Sequence, residues 1–359
     1  MTVSCAKSPQ SARAGLLYSR CPVVPTVSGI AAQLGWLDEE TVAEKDVNIL
    51  VQQQQGEHLP EDPAPHRERY WLRHSGNMKA IWARSEGADS RVIGLSWART
   101  PNRILTLPTS NIRSVADLKG RRLAIVSHSK ALIDFGRASA LRTYEVALAT
   151  VGLTLDDIEL VDVGVDKPYG DFKSSSGRDA SALWTLRREG QREFITPILR
   201  GQADAIAVRG SFAAELGTIF GAHVVYDLAD NPDRNATAAD APPFTLVASR
   251  ALIEERPDLL NRIMVRLIKA AQWANRQPTD ALQLLGQDLG HIAETVRVAF
   301  GTELATQMSL DLDEGNVAAL QSHESFLLRH GFVKRHVDIA EWIDPAPLRY
   351  ALDSIAHGA

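Results

Sequence analysis

Few residues in this chain have the chemistry of a catalyst, and Cys21 stands first among them, in the stretch Tyr18-Ser-Arg-Cys-Pro-Val23. A thiol acts as a nucleophile or acid only when ionised or poised to be, and its ordinary pKa near 8.5 falls beside a cation. A ring base and a cation follow: His58 after Gln54-Gln55-Gly56-Glu57, and Arg73 in Arg73-His-Ser-Gly76. Arg73 offers a planar fork of donors that matches two oxygens of one anion. The backbone N–H at Gly76 is open to close approach, because glycine carries no side chain. Farther along, Ser127-His128-Ser129 falls at a strand-to-helix turn, where hydroxyls and N–H groups can meet an anion. Each feature also has a plainer reading. A lone cysteine is commonly a small buried hydrophobe. His58, His66 and His74 read by default as solvated surface. Arg73 can pair with Glu68 or Glu86, and Ser127 to Ser129 can simply cap a helix. Trp36, Trp71, Trp97, Trp184 and Trp273 belong by default to the core, and Cys5 is assigned nothing.

Composition narrows the classes. At 359 residues the chain is about two domain-equivalents. Apolar residues at 45% and charged residues at 23% exclude a disordered or fibrous protein. A net charge of −5 lacks the basic footprint of a nucleic-acid binder. Two cysteines cannot build a disulfide framework, and no Cys/His cluster has zinc-ligand spacing. No GxGxxG follows a strand, and neither a GxxxxGK[ST] loop nor a GxSxG elbow occurs. The expectation is therefore an activity without metal or organic cofactor. No 18-residue apolar run exists, so no transmembrane helix is expected. Lys7, Arg13 and Arg20 interrupt the N-terminal segment, and Arg20 stands where a lipoprotein site needs a small residue. A cytoplasmic monomer with reduced thiols is expected, with neither a nucleic-acid nor a membrane partner.

Strand-like and helix-like stretches alternate. Val27–Leu34 reads as a short helix, Asp46–Val51 as a strand, and the polar run that follows as a loop up to Tyr70. Gly76–Arg84 is helical in pattern, and Arg91–Trp97 is a strand. Ser114 with Asp117 caps a short helix that Gly120 ends. Arg122–Val126 is a buried strand, with a helix from about Ala131. Ile158–Val163 is a strand, and Val165–Asp179 a polar loop. Helices follow near Ala182–Glu189 and Ile195–Arg200. Strands then fall at Ala205–Arg209, His223–Asp227 and Phe244–Ser249, and a long amphipathic helix at Arg256–Asn275. This alternation predicts an α/β protein with mostly parallel sheets. Two crossovers predict two lobes around a cleft, with a helical C-terminal segment folded back. Lobe 1 is expected to hold residues 14–112 and 223–359, and lobe 2 residues 113–222.

Three segments, Ser114–Val126, Arg200–Ala207 and Ile253–Ala274, together resemble the type II periplasmic-binding-protein fold, nearest to its sulfonate, nitrate and taurine binders. The Cys21 segment resembles the cysteine motif of the aromatic sulfinate desulfinases, cytoplasmic enzymes on that fold. Gln54-Gln55-Gly56-Glu57-His58 resembles that family's histidine segment. Arg73-His-Ser-Gly76 resembles its arginine segment, with Ser75 in place of a glycine. The resemblance implies a desulfinase-like hydrolase that splits a C–S bond of a small anionic aromatic substrate and releases sulfite. Cys21, His58 and Arg73 would be catalytic, and Gly76, Ser127 and Ser129 would bind substrate. His66 and His74 are substitutes for His58, because the stretch before Arg73 is long. The alternative is a solute-binding protein for a sulfonate- or nitrate-type anion. A thiamine-precursor enzyme on the same fold would carry a cysteine-rich motif that this chain lacks.

Overall fold

The computed structural model describes residues 14–21, 23–38, 47–53, 69–129, 131, 133–165, 192–239 and 241–358. His58, His66, the loop 166–179 and the helix expected near Ala182–Glu189 lie outside the described residues. The chain forms two five-stranded sheets. The first contains β1 (Ala14–Arg20), β2 (Val47–Gln53), β3 (Tyr70–Ser75), β4 (Ser90–Ser96) and β10 (Phe244–Ser249), in the order β2-β1-β3-β10-β4. The second contains β5 (Asn102–Thr106), β6 (Arg122–His128), β7 (Glu159–Val165), β8 (Ala205–Arg209) and β9 (His223–Asp227), in the order β7-β6-β8-β5-β9.

Each sheet is parallel but for one strand. β10 runs antiparallel to β3 and β4, and β5 antiparallel to β8 and β9. Both reversed strands are the first that the chain makes after crossing between sheets, at 97–101 and 228–243. The divisions expected after residues 112 and 222 therefore do not follow the sheets. β5 and β9 pair inside the second sheet, because the incoming strand finds its hydrogen-bond partners there.

The helices are α1 (Val27–Gln33), α2 (Asn77–Ser85), α3 (Phe135–Ala149), α4 (192–199), α5 (Ser211–Phe220), α6 (Arg234–Thr237), α7 (Arg250–Glu255), α8 (Pro257–Arg276), α9 (Pro278–Leu289), α10 (Ala293–Phe300), α11 (Glu314–Arg329), α12 (Ile339–Trp342) and α13 (Ala346–Ala356). Their starts follow local chemistry. The Thr26 hydroxyl accepts from the Gly29 N–H to cap α1. Pro257 and Pro278 open α8 and α9, where a missing N–H costs nothing. Buried Leu260, Ile263, Met264, Leu267, Ala271 and Ala274 recur at helical spacing along α8. Each large side chain among them contributes about 1.5–3 kcal/mol by leaving water. They pack with α1 against Leu16, Tyr18, Leu72 and Leu246 on one face of the first sheet. A second core joins Trp71, Ile81 and Leu95 of the first sheet's side to Ile104, Leu123 and Tyr144 of the second, with Phe326 of α11. The two lobes thus share buried apolar surface. No helix among the described residues is long and apolar enough to cross a membrane.

Candidate active site

The parallel register of β1 and β3 runs one residue past the end of β1. The Cys21 N–H donates to the His74 carbonyl at 3.2 Å. Ser19 aligns with Arg73, and Arg20 with His74. Cys21 therefore sits at the strand ends beside Ser75 and Gly76, and Arg73 one short step back along β3. In open α/β sheets these carboxyl ends are where ligands bind. Cys21 is half-buried and packs against the first core. Arg73 is buried, at 6% exposure, so it is no surface cation. Gly76 stands at the N-cap of α2 with no side-chain cap bond, which leaves the first turn's N–H groups beside the Cys21 turn. Its φ of −55° and ψ of 150° are open to any residue, so conformation alone does not demand glycine there.

Alternation along β3 sends Leu72 into the core under α1 and Trp71 into the core shared with the second sheet. The side chains of His74 and Arg73 accordingly leave opposite faces. His74 is fully buried. Its Nδ1 lies 2.5 Å from the Ser28 hydroxyl, which lies 2.6 Å from the Tyr18 hydroxyl, and its Nε2 lies 3.2 Å from the Ser96 hydroxyl. Burial depresses the imidazole pKa to about 3, so the ring is neutral. His74 thus does not fill the place of an accessible histidine. Both ring nitrogens are engaged inside the fold.

Arg20 points to the same face as His74. It forms a buried ion pair with Asp288 of α9, whose carboxylate also accepts from Gln33 of α1 at 3.3 Å. A β-carbon at Gly29 would lie 2.4 Å from Asp288 Oδ2, so the missing side chain is what lets α1 close on this carboxylate. Asn77, next to Gly76, donates to the carbonyls of Ala239 (2.9 Å) and Pro243 (3.1 Å). With its amide hydrogens so used, its Oδ1 accepts from His323 Nδ1 at 2.6 Å.

The Ser127 hydroxyl donates to Asp162 at 3.2 Å and accepts from Arg137 at 2.9 Å. It is thus engaged between β7 and α3. Ser129 is exposed on the turn that follows. His128 is the buried member of this turn, with Glu193 at 3.5 Å and Asp134 at 3.9 Å. Carboxylates and the Arg137 guanidinium share this strand end. Sequence reasoning also missed Arg20, Ser28, Asn77 and Asp288. Their only signal was polarity inside otherwise apolar segments. Among the described residues no cluster of His, Cys, Asp and Glu could hold a metal.

Two sheets of this topology define the type II periplasmic-binding-protein-like fold. The chain is similar to 2'-hydroxybiphenyl-2-sulfinate desulfinase of Rhodococcus erythropolis, with 25% identity over 361 residues covering 94% of this chain and 93% of that protein. The desulfurization enzyme DszB superposes with a TM-score of 0.75 at 23% identity, over 96% of this chain and all of that one. A DszB cysteine-to-serine mutant in complex with biphenyl-2-sulfinic acid superposes with a TM-score of 0.76 at 22% identity, over 95% of this chain and 99% of that one. The periplasmic aliphatic sulphonate binding protein SsuA of Escherichia coli follows at 0.65 and 18%, over 92% of each chain. Residues 30–176 match the family model described as NMT1/THI5 like.

Proposed function

We propose that this protein is a desulfinase that uses Cys21 to cleave the C–S bond of an aromatic sulfinate. The observation that carries the reading is the Cys21 turn, hydrogen-bonded onto β3 at the residue after Arg73. The similarity to a named desulfinase over nearly the whole chain supports it. The net reaction is arenesulfinate plus water giving arene plus bisulfite. Arg73 and the N–H groups at Gly76 would hold the two sulfinate oxygens. Cys21 would then protonate the ring carbon as the C–S electron pair returns to it, and sulfur dioxide would leave and take up water. In the other route Cys21 attacks sulfur, the C–S bond breaks as the aryl carbon leaves and takes up a proton, and water cleaves the resulting Cys–S–SO2⁻ adduct to thiol and bisulfite. A histidine, His58 on the sequence argument, would tune the thiol in either route. Such a thiol needs a reducing compartment, so we place the protein in the cytoplasm.

Sulfite release from 2-phenylbenzenesulfinate, read with a thiol-reactive dye, tests the reading. Cys21→Ser should abolish release and retain ligand binding, because a hydroxyl is a far weaker acid and nucleophile than a thiol. Mass spectrometry of quenched enzyme would show a covalent adduct only for the second route. Ligand binding with no turnover, unchanged by Cys21→Ser, would identify a solute-binding protein instead.

A further inference from the structure

We infer that His74 is a positioning residue that sets the geometry of the Cys21 turn from inside the fold. The role deepens the desulfinase reading, but the geometry stands without it. The segment carrying Cys21 leaves β1 and enters α1, and both of its anchors end on one imidazole. Tyr18 of β1 reaches the ring through the Ser28 hydroxyl, and Ser28 itself belongs to α1. The ring's other nitrogen meets Ser96, the last residue of β4. The backbone carbonyl of the same His74 takes the Cys21 N–H. One residue therefore ties three strands and a helix around the thiol's turn.

The hydrogens can be ordered along this chain. Tyr18 is fully buried, and its hydroxyl meets Ser28. One order satisfies every group with a neutral ring: Tyr18 donates to Ser28, Ser28 donates to Nδ1, and Nε2–H donates to Ser96. A neutral ring is required for this order, and burial keeps it neutral. Polar groups so deep add little net stability compared with a well-packed apolar core. What a fully satisfied network adds is a single geometry. A strand end fixed to within an ångström matters for a thiol that must meet one atom of a bound substrate.

The test uses the full chain with Cys5→Ser, which leaves Cys21 as the single cysteine of the two in the sequence. Into it go Ser96→Ala, Ser96→Thr, His74→Gln and Ser28→Ala. Iodoacetamide labelling of Cys21 and kcat and KM for sulfite release from 2-phenylbenzenesulfinate are measured, with circular dichroism as the fold check. With the network cut, the turn loosens. Labelling should accelerate several-fold while kcat falls roughly tenfold and KM changes little. Ser96→Thr keeps the hydroxyl and should restore both values. Ser96→Ala removes only the outermost bond, so it carries the test if the deeper variants unfold. Folded Ser96→Ala and His74→Gln proteins with parental labelling and parental kcat would overturn the role. A parent that releases no sulfite would sink the desulfinase reading, while the labelling rates would still decide the role of His74.

Discussion

Arg73 and His74 are neighbours in sequence and opposites in use. Arg73 lies on the face of the first sheet that carries Trp71, and a buried guanidinium there can do what an ammonium cannot, hold two oxygens in one plane. Arg73→Lys should therefore keep the fold and lower kcat/KM for the sulfinate by about 10²-fold, the scale of losing one oriented donor to a developing charge. Steady-state kinetics beside a melting curve check it, and a variant with parental kcat/KM would remove Arg73 from the site. His74 and His323 make a different prediction, about pH. Burial lowers both folded-state pKa values to about 3 from an unfolded value near 6.5. The folded rings refuse a proton that the unfolded rings accept, so their contribution is whole above pH 6.5 and is lost as pH falls toward 3. The loss is at most roughly 5 kcal/mol for each ring. Urea midpoints measured from pH 7 to pH 4 should fall steeply below about pH 6, and His323→Leu should flatten the fall. A midpoint indifferent to pH over that range would contradict the burial argument.

At the scale of elements, β1 and β3 matter most, because they end at the candidate site. Arg20 at the last position of β1 is anchored to Asp288 of α9, and Gly29 leaves the space for that carboxylate. Gly29→Ala should cost about 1–3 kcal/mol by forcing the carboxylate away from α1. Asp288→Asn should cost more, about 3–5 kcal/mol, because it leaves the Arg20 charge buried with a neutral partner. Chemical denaturation of both variants gives the order, and the reverse order would show that space rather than charge governs this contact. These two strands were also the hardest to read in the sequence. Strands with apolar runs, such as β6 and β10, and the helix α8 were legible within a residue or two. The strands β1, β3 and β5 were not, and the helix expected from about Ala131 begins at Phe135. Tyr70–Ser75 carries Arg73, His74 and Ser75 where a buried strand ordinarily carries Val or Ile. Its polarity gave no strand signal, because the partners that satisfy it, Ser28 and Ser96, lie on other elements. Cys21 was legible from its neighbours in sequence. Its setting on β3 was not, since pairing between distant strands leaves no local signal.

At the scale of the whole molecule, the crossing at 228–243 is held from both lobes. Asn77 of α2 bonds the carbonyls of Ala239 and Pro243, and Arg142 of α3 bonds those of Asn235 (2.8 Å) and Ala238 (3.3 Å). Ser322 of α11 bonds the Asn235 carbonyl as well, at 3.1 Å, and the Arg234 guanidinium lies 4.9 Å over the Trp97 ring of the other crossing. Around a cavity of about 160 Å³, Trp97, Arg99 and Thr100 of one crossing face Asn231 and Arg234 of the other, and Cys21 is not among the lining residues. A further tie joins α5 in the second lobe to the turn after α9, where His291 meets Glu215 at 3.1 Å. Solute receptors of this general shape close by bending at such crossings, through a few residues that absorb large backbone changes. Here the backbone that would have to bend is already bonded to side chains from both lobes, above a core that the lobes share. Closure should therefore be small. Small-angle X-ray scattering should give the same radius of gyration with and without 2-phenylbenzenesulfinate. The triple variant Asn77→Ala, Arg142→Met and Ser322→Ala should acquire a ligand-dependent change, because these side-chain bonds to the carbonyls of the crossing are then gone. A clear contraction of the unmodified protein on adding the sulfinate would show that these bonds do not lock the lobes.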